Sequence, residues 1–345
     1  MKKITYKMLL IILLTPLIAV LFVKYITPMI NDSLPYNLRN DDSPLYSYMT
    51  LNKNYKGYLL TCNLFSGIKK YTHSTNSYGL RSPQIDFGKE LVLISGDSIP
   101  FGLGLNDENT FGWLLNKKTG TYHYINAGIP GKDIAHNLLT LKYFLQISKA
   151  KNTKIKYFIN YINYKDFISD SKIDVIERRW KKEDLKLREK LMVRFPLLSF
   201  MYDNLSNPSN SNAKIKTFFF SIFFLENTSE DNSPEGKFSF SKENIKYQKE
   251  IGEICQKNNI KLINVITPYS KTDISSDFSN SNIVKKKLIE IDQKKIILIK
   301  DVYKNNNFSL DRIRKNNDYV HFSAQAMKLV SDTIKNYIKQ EDSRS

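Results

Sequence analysis

Cysteine is nearly absent: Cys62 and Cys255 are the only two in 345 residues. That excludes a cysteine-based zinc site and a disulfide framework, and leaves either one bridge or two buried thiols. Acidic side chains are also scarce, 34 Asp+Glu against 52 Lys+Arg, for a formal charge of +18. The basic excess does not form a nucleic-acid reader. Its residues are spread through the chain, alternate with Asp and Glu, and make no RRM, helix-turn-helix or zinc-finger pattern. A solvated basic face is the direct explanation, with attraction to anionic lipid or glycan as a secondary one. There is no internal repeat, no P-loop and no dinucleotide fingerprint. Gly102-Leu103-Gly104 lacks the further glycine, so no cofactor is expected. His73, His123 and His136 are scattered without metal-ligand spacing, so no metal is expected either.

What is present suffices for a sizeable core. With 41% hydrophobic and 12% aromatic residues, the chain as a whole cannot be disordered. Its length fits one large domain with additions, or two small ones. Lys2, Lys3 and Lys7 precede an uncharged, mostly apolar run from Met8 to Val23, closed by Lys24. The run is 16 residues long. That is slightly short of the roughly 17–25 that cross a bilayer, a gap that snorkelling by Lys7 and Lys24 can close. Lysines on the N-terminal side predict a cytoplasmic N-terminus. A cleaved signal peptide has the same layout, but its small-x-small site is missing from Ile18 to Val23. The expectation is a membrane anchor over residues 1–24, with the remainder periplasmic or extracellular and removed from nucleic acid.

Residues 25–90 are rich in Tyr, Asn, Ser and Thr, with short alternating stretches such as Tyr58-Leu59-Leu60-Thr61. They read as irregular hairpins leading into a main domain over 91–345. That domain opens with Leu91-Val92-Leu93-Ile94, a continuous apolar run of the kind found in the middle of a parallel sheet. A helix is expected around Thr110 to Lys118, and strands over Tyr122 to Asn126 and Ile155 to Ile162. Between the two strands, Ile134, Leu138, Leu141 and Leu145 mark one face of a helix that Asp133 can cap. The alternation resumes with a helix through Tyr247, Ile251, Ile254 and Cys255, strands at Leu262 to Ile266 and Ile296 to Ile299, and a last helix striped by Val330, Ile334 and Tyr337. Strands alternating with amphipathic helices predict a three-layer α/β/α sandwich with a mainly parallel sheet. An insert at about 168–240 breaks the pattern. It holds two low-complexity segments around the apolar run Phe218 to Leu225, best read as core packing.

Directly after the first buried strand comes Ser95-Gly96-Asp97-Ser98-Ile99-Pro100-Phe101-Gly102. Reactive groups in α/β sheets collect at the carboxyl ends of strands, so Ser98 stands where a nucleophile belongs. A serine hydroxyl needs a base within hydrogen-bond reach, usually a histidine supported by a carboxylate. Asp318 and His321, three apart before the final helix, can supply both from one segment.

The Gly-Asp-Ser block, Gly102 and the C-terminal Asp-x-x-His together resemble the SGNH (GDSL-type) hydrolases. Asn76-Ser77-Tyr78-Gly79-Leu80-Arg81 and Ile125-Asn126-Ala127-Gly128-Ile129-Pro130-Gly131 resemble the family's membrane-anchored bacterial members. The resemblance covers about residues 70–167 and 241–340. It implies an SGNH/flavodoxin-like fold, with Ser98 as nucleophile, His321 as general base and Asp318 as partner of the imidazole. It also implies an oxyanion hole built from the Ser98 N–H, the Gly128 N–H and an asparagine amide. The family's third block normally reads Gly-x-Asn-Asp, whereas this chain reads Asn160-Tyr161-Ile162-Asn163-Tyr164-Lys165-Asp166. If Asp166 matches the family's aspartate, Lys165 stands in the asparagine's place, and Asn163 supplies the amide only after a local shift. The implied activity is an extracytoplasmic serine esterase acting on O-acetyl or related esters of carbohydrate. Transfer of the acyl group to a sugar hydroxyl, or a non-catalytic glycan-binding scaffold with a degraded oxyanion hole, are the alternatives.

Overall fold

The computed structural model describes residues 53–63, 67–117, 120–130, 132–163, 165–168, 240–268, 280–308 and 321–344. The expected anchor at 1–24, the insert apart from its two end residues, and Asp318 lie outside these residues.

An antiparallel hairpin comes first, β1 (Lys56–Asn63) against β2 (Gly67–Ser74). Five parallel strands follow: β3 (Glu90–Ser95), β4 (Tyr122–Asn126), β5 (Ile155–Ile162), β6 (Lys261–Ile266) and β7 (Ile296–Leu298). Their order across the sheet is β4-β3-β5-β6-β7. The strand order therefore reverses between β3 and β5, which defines the switch point of a doubly wound sheet.

Among the described residues the α-helices are α1 (Ser98–Phe101), α2 (Phe111–Asn116), α3 (Ile134–Ala150), α4 (Lys165–Ile168), α5 (Lys242–Lys257), α6 (Asn280–Glu290), α7 (Ile299–Asn305) and α8 (Ala324–Ser343). Alternate residues of the central strands serve two cores. Leu91, Leu93, Ile125 and Phe158 pack with Leu138, Leu141 and Phe144 of α3, Ile251 of α5 and Leu288 of α6. Val92, Ile94, Tyr157 and Ile159 pack with Phe111 and Leu115 of α2, Val302 of α7, and Met327, Val330 and Ile334 of α8. Helices thus cover both faces, as burying all of a parallel sheet requires.

The helix starts obey simple capping chemistry. Asp133, Ser241 and Ser323 accept N–H groups of the first turns of α3, α5 and α8. The expected strand at Ile296 to Ile299 is shorter by one residue, because Ile299 already begins α7. Cys255 is a buried free thiol.

Two polar constructions set the site's surroundings. Ser95, Asn160 and Asn264 pair in register across β3, β5 and β6. Ser95 Oγ donates to Asn137 of α3, and Asn137 donates to Asn160. Asn160 donates to Gln248 of α5 and to Asn264, while Gln248 and Asn264 both donate to Gln293. Every member is buried, and the chain of amides is closed by its own bonds, the condition under which a buried polar network stabilises.

The second construction is Arg81, which is fully buried. Its guanidinium donates to Asp107 (2.9 Å), Gly102 O (2.8 Å), Leu105 O (2.6 Å) and Thr72 O (2.8 Å). It therefore ties strand β2 to the loop that leaves α1. His73 of β2 adds a ring contact to Phe101, the last residue of α1.

Candidate active site

Strand β3 ends at Ser95 and the chain turns at once into α1. Gly96 permits the turn because a Cβ there would stand 2.5 Å from the Cβ of Tyr161. Asp97 caps α1, its Oδ1 accepting the Ile99 N–H at 2.9 Å. Gly102 ends the helix at φ 76, in the left-handed region that glycine adopts without penalty. Ser98 is the first residue of this helix, so its own N–H lies among the donors that an α-helix leaves unused. No acceptor takes it among the described residues.

His321 enters from the segment before α8. Its Nε2 lies 2.9 Å from Ser98 Oγ, across 223 positions of sequence. For the serine to donate, Nε2 must be the unprotonated nitrogen, which leaves the imidazole proton on Nδ1.

Asn163 directly follows β5, across the switch point from Ser98. Its side-chain amide is oriented from both ends. Nδ2 donates to Asp97 Oδ2 at 3.0 Å, and Oδ1 accepts the Asp166 N–H at 3.3 Å. A carboxylate cannot face the carbonyl end of an amide, so Asp97 selects which end is nitrogen. The second N–H of that amide makes no hydrogen bond among the described residues. Asp166 closes the turn by accepting the Asn163 backbone N–H at 2.8 Å. Lys165 instead begins α4, one position before Asp166.

Gly128 sits in the loop after β4, where it packs against α1. A Cβ there would lie 2.7 Å from Phe101 N and 2.9 Å from Pro100 Cγ. Its N–H donates to Asn126 Oδ1 at 3.1 Å. In this conformation the group expected to face an oxyanion is engaged within its own loop, and the glycine serves close packing against α1.

Burial dominates the electrostatics beneath Ser98. It raises the Asp97 carboxyl above the usual carboxylate range, opposed by the Ile99 N–H, by His321 and by the Asn163 amide. Asp166 is pushed well up by burial, and the nearby Asp97 and Asp133 add to the effect. On the β4–α3 loop, burial lowers the Lys132 ammonium to about 8, opposed by Asp133. Asp97, Lys132 and Arg81 escaped the spacing argument. Asp97 was visible only as part of the Gly-Asp-Ser block, and Arg81 only as the end of Asn-x-x-Gly-x-Arg. The described residues contain no group of three or more His, Cys, Asp or Glu arranged to hold a metal ion.

No family model and no curated protein matches the chain. Among solved structures it is similar to the psychrotrophic esterase EstA from Pseudoalteromonas sp., at 13% identity and a TM-score of 0.40, covering 73% of this chain and 98% of that one. It is also similar to the acetyl xylan esterase AlAXEase, at 18% identity and a TM-score of 0.38, covering 72% and 99%. A third is Axe2, an acetylxylan esterase from Geobacillus stearothermophilus, at 13% and 0.35, covering 72% and 94%. At these identities and scores the likenesses carry nothing about chemistry.

Proposed function

We propose that this protein is a serine esterase that forms an acyl-enzyme on Ser98. The observation that carries the reading is the 2.9 Å approach of His321 Nε2 to Ser98 Oγ at the carboxyl end of β3. As Ser98 Oγ attacks the ester carbonyl, its proton passes to His321 Nε2. The resulting tetrahedral oxyanion is met by the Ser98 N–H and by the second N–H of Asn163, two donors fixed before substrate arrives. Collapse of the intermediate breaks the bond to the alcohol, which takes the proton from His321. Water then attacks the acyl-enzyme through the same base and regenerates Ser98.

Asp318 is assigned as acceptor of the imidazole Nδ1–H, completing the triad, on the strength of its spacing to His321. Gly128 would join the oxyanion hole only by releasing Asn126. Acetyl or related short acyl groups on carbohydrate are the proposed substrates, with the domain outside the cytoplasm behind an N-terminal anchor. Support for that assignment comes from the apolar run at Met8 to Val23 and from the resemblance of the Asn76–Arg81 and Ile125–Gly131 segments to anchored hydrolases. The activity needs no resident cofactor for the steps written above.

The test is fluorophosphonate labelling of the full chain in detergent, read by intact mass, beside Ser98→Ala and His321→Ala. One adduct on the parent, lost in both variants, is the expected result. A folded parent that takes up no label overturns the reading.

A further inference from the structure

Among the described residues two lysines are buried. Lys300, 8% exposed, has a partner of its own; Lys132 is 9% exposed. Its ammonium makes no hydrogen bond or ion pair among the described residues. The neighbouring Asp133 does not neutralise it at contact distance. That carboxylate is bonded to His136, through the backbone N–H at 3.3 Å and Nδ1 at 2.9 Å. Burying a lysine with no partner is costly, and the cost shows as the ammonium's lowered pKa. A chain with 52 basic residues has no shortage of cations, so the position of this one calls for a reason.

Its place in the fold supplies one. Lys132 lies on the β4–α3 loop, which runs alongside the nucleophile turn. Ile129 N donates to Gly96 O at 3.0 Å, and Gly128 packs on Pro100 and Phe101. Lys132 N then donates to Ile129 O, holding the loop's next turn against the same wall. Lys132 therefore stands on the loop that flanks the Gly96–Ser98 turn at the carboxyl edge of the sheet.

We propose that Lys132 is a specificity-determining residue that pairs with an anionic substituent, a carboxylate or a phosphate, on the carbohydrate whose ester is cleaved. The inference rests on the esterase reading and narrows its substrate class to acylated acidic sugars. An unpaired ammonium at the tip of a mostly buried side chain gains more from an anion than a fully exposed lysine does, because less water competes for it. A neutral sugar would leave the charge without a partner, so the site discriminates by omission as well as by attraction.

The test compares acetate release from O-acetylated glucuronic acid, O-acetylated glucose 6-phosphate and O-acetylated glucose, for the full chain and for Lys132→Met. Methionine keeps the buried stem. Fluorophosphonate labelling of both proteins checks the Ser98–His321 pair independently. The expected result is a preference of about ten- to hundred-fold in kcat/KM for a charged sugar over the neutral one. In Lys132→Met that preference falls to near unity, with labelling rate and neutral-sugar rate retained. The two charged substrates distinguish carboxylate from phosphate. Equal rates on all three sugars by a labelled parent overturn the inference and leave the esterase standing, as does a preference that survives Lys132→Met. Labelling without acetate release from any of the three overturns the inference together with the acetylated-sugar substrate class. A folded parent that takes no label overturns the esterase reading itself.

Discussion

Asn163→Ala separates the two candidates for the oxyanion amide that the sequence leaves open. The substitution removes the N–H left over after Nδ2 has bonded Asp97 at 3.0 Å. Losing one such donor typically costs about 2.7–4 kcal/mol of transition-state stabilisation, or about 10²–10³ in kcat. KM should change little, since the oxyanion exists only after attack. The fold also loses a hydrogen bond to a carboxylate and one to the Asp166 N–H at 3.3 Å. About 2 kcal/mol of stability is at stake there, as hydrogen bonds to charged groups are worth about 1.5–3. The assay is steady-state hydrolysis of p-nitrophenyl acetate, with urea unfolding beside it so that rates are compared on folded protein. Lys165→Met is the control: Lys165 begins α4 rather than extending the strand end, and its replacement should alter kcat by no more than about twofold. If Asn163→Ala leaves kcat within that range, or Lys165→Met lowers it as steeply as the alanine is expected to, the preorganised-amide argument is wrong.

Three further outcomes follow from the geometry. Arg81→Met leaves the Asp107 carboxylate with Ser74 but no cation, and strips a donor from the carbonyls of Thr72, Gly102 and Leu105. Urea unfolding should show a loss of at least about 3–5 kcal/mol, the usual cost of breaking a buried ion pair from one side. Gly128→Ala places a Cβ 2.7 Å from Phe101 N, a backbone atom that can yield only by moving α1. A loss of about 1–3 kcal/mol in urea unfolding should accompany slower fluorophosphonate labelling as α1 shifts. His73 is lowered to about 3 by burial and then by Arg81. The folded state therefore refuses a proton that the unfolded chain accepts near 6.5, so this contribution is complete above that pH and fades as pH falls toward 3. Relative to His73→Phe, the parent should lose about 1.4 kcal/mol per pH unit below 6.5, or about 2 kcal/mol by pH 5, in paired urea titrations.

The sheet was legible because its information is local. Tyr122–Asn126 and Ile155–Ile162 coincide with β4 and β5, since short runs rich in aromatic and β-branched residues read as strands even where His123, Lys156 and Asn160 interrupt them. The cap at Asp133 was legible for the same reason. The orientation of the Asn163 amide was not, because it depends on where β5 stops and on a hydrogen bond to Asp97, 66 residues upstream. Arg81 was invisible as a clamp. A buried arginine is expected to be rare, and only the four acceptors gathered from β2 and the 102–107 segment explain its burial. The Gly128 N–H was assigned by block position, and block position does not show that Asn126, two residues earlier, is within reach of it. Contacts closed by tertiary structure leave little trace in spacing.

The row Ser95–Asn160–Asn264, with Asn137, Gln248 and Gln293 bonded to it, has a consequence for how the carboxyl edge of the sheet comes to be aligned. Ser98 lies three positions past Ser95 on one strand's path, and Asn163 three past Asn160 on its neighbour's. The row is therefore a common index line from which both residues are measured. Aliphatic side chains alone tolerate a sliding strand poorly but without chemical specificity. Amides do not tolerate it at all, since a one-residue slip of β5 would turn Asn160 to the other face and orphan its partners on α3, α5 and β6 together, at about 1–3 kcal/mol for each. The polar seam therefore penalises a misregistered sheet, and Ser98 and Asn163 are both counted from the same line.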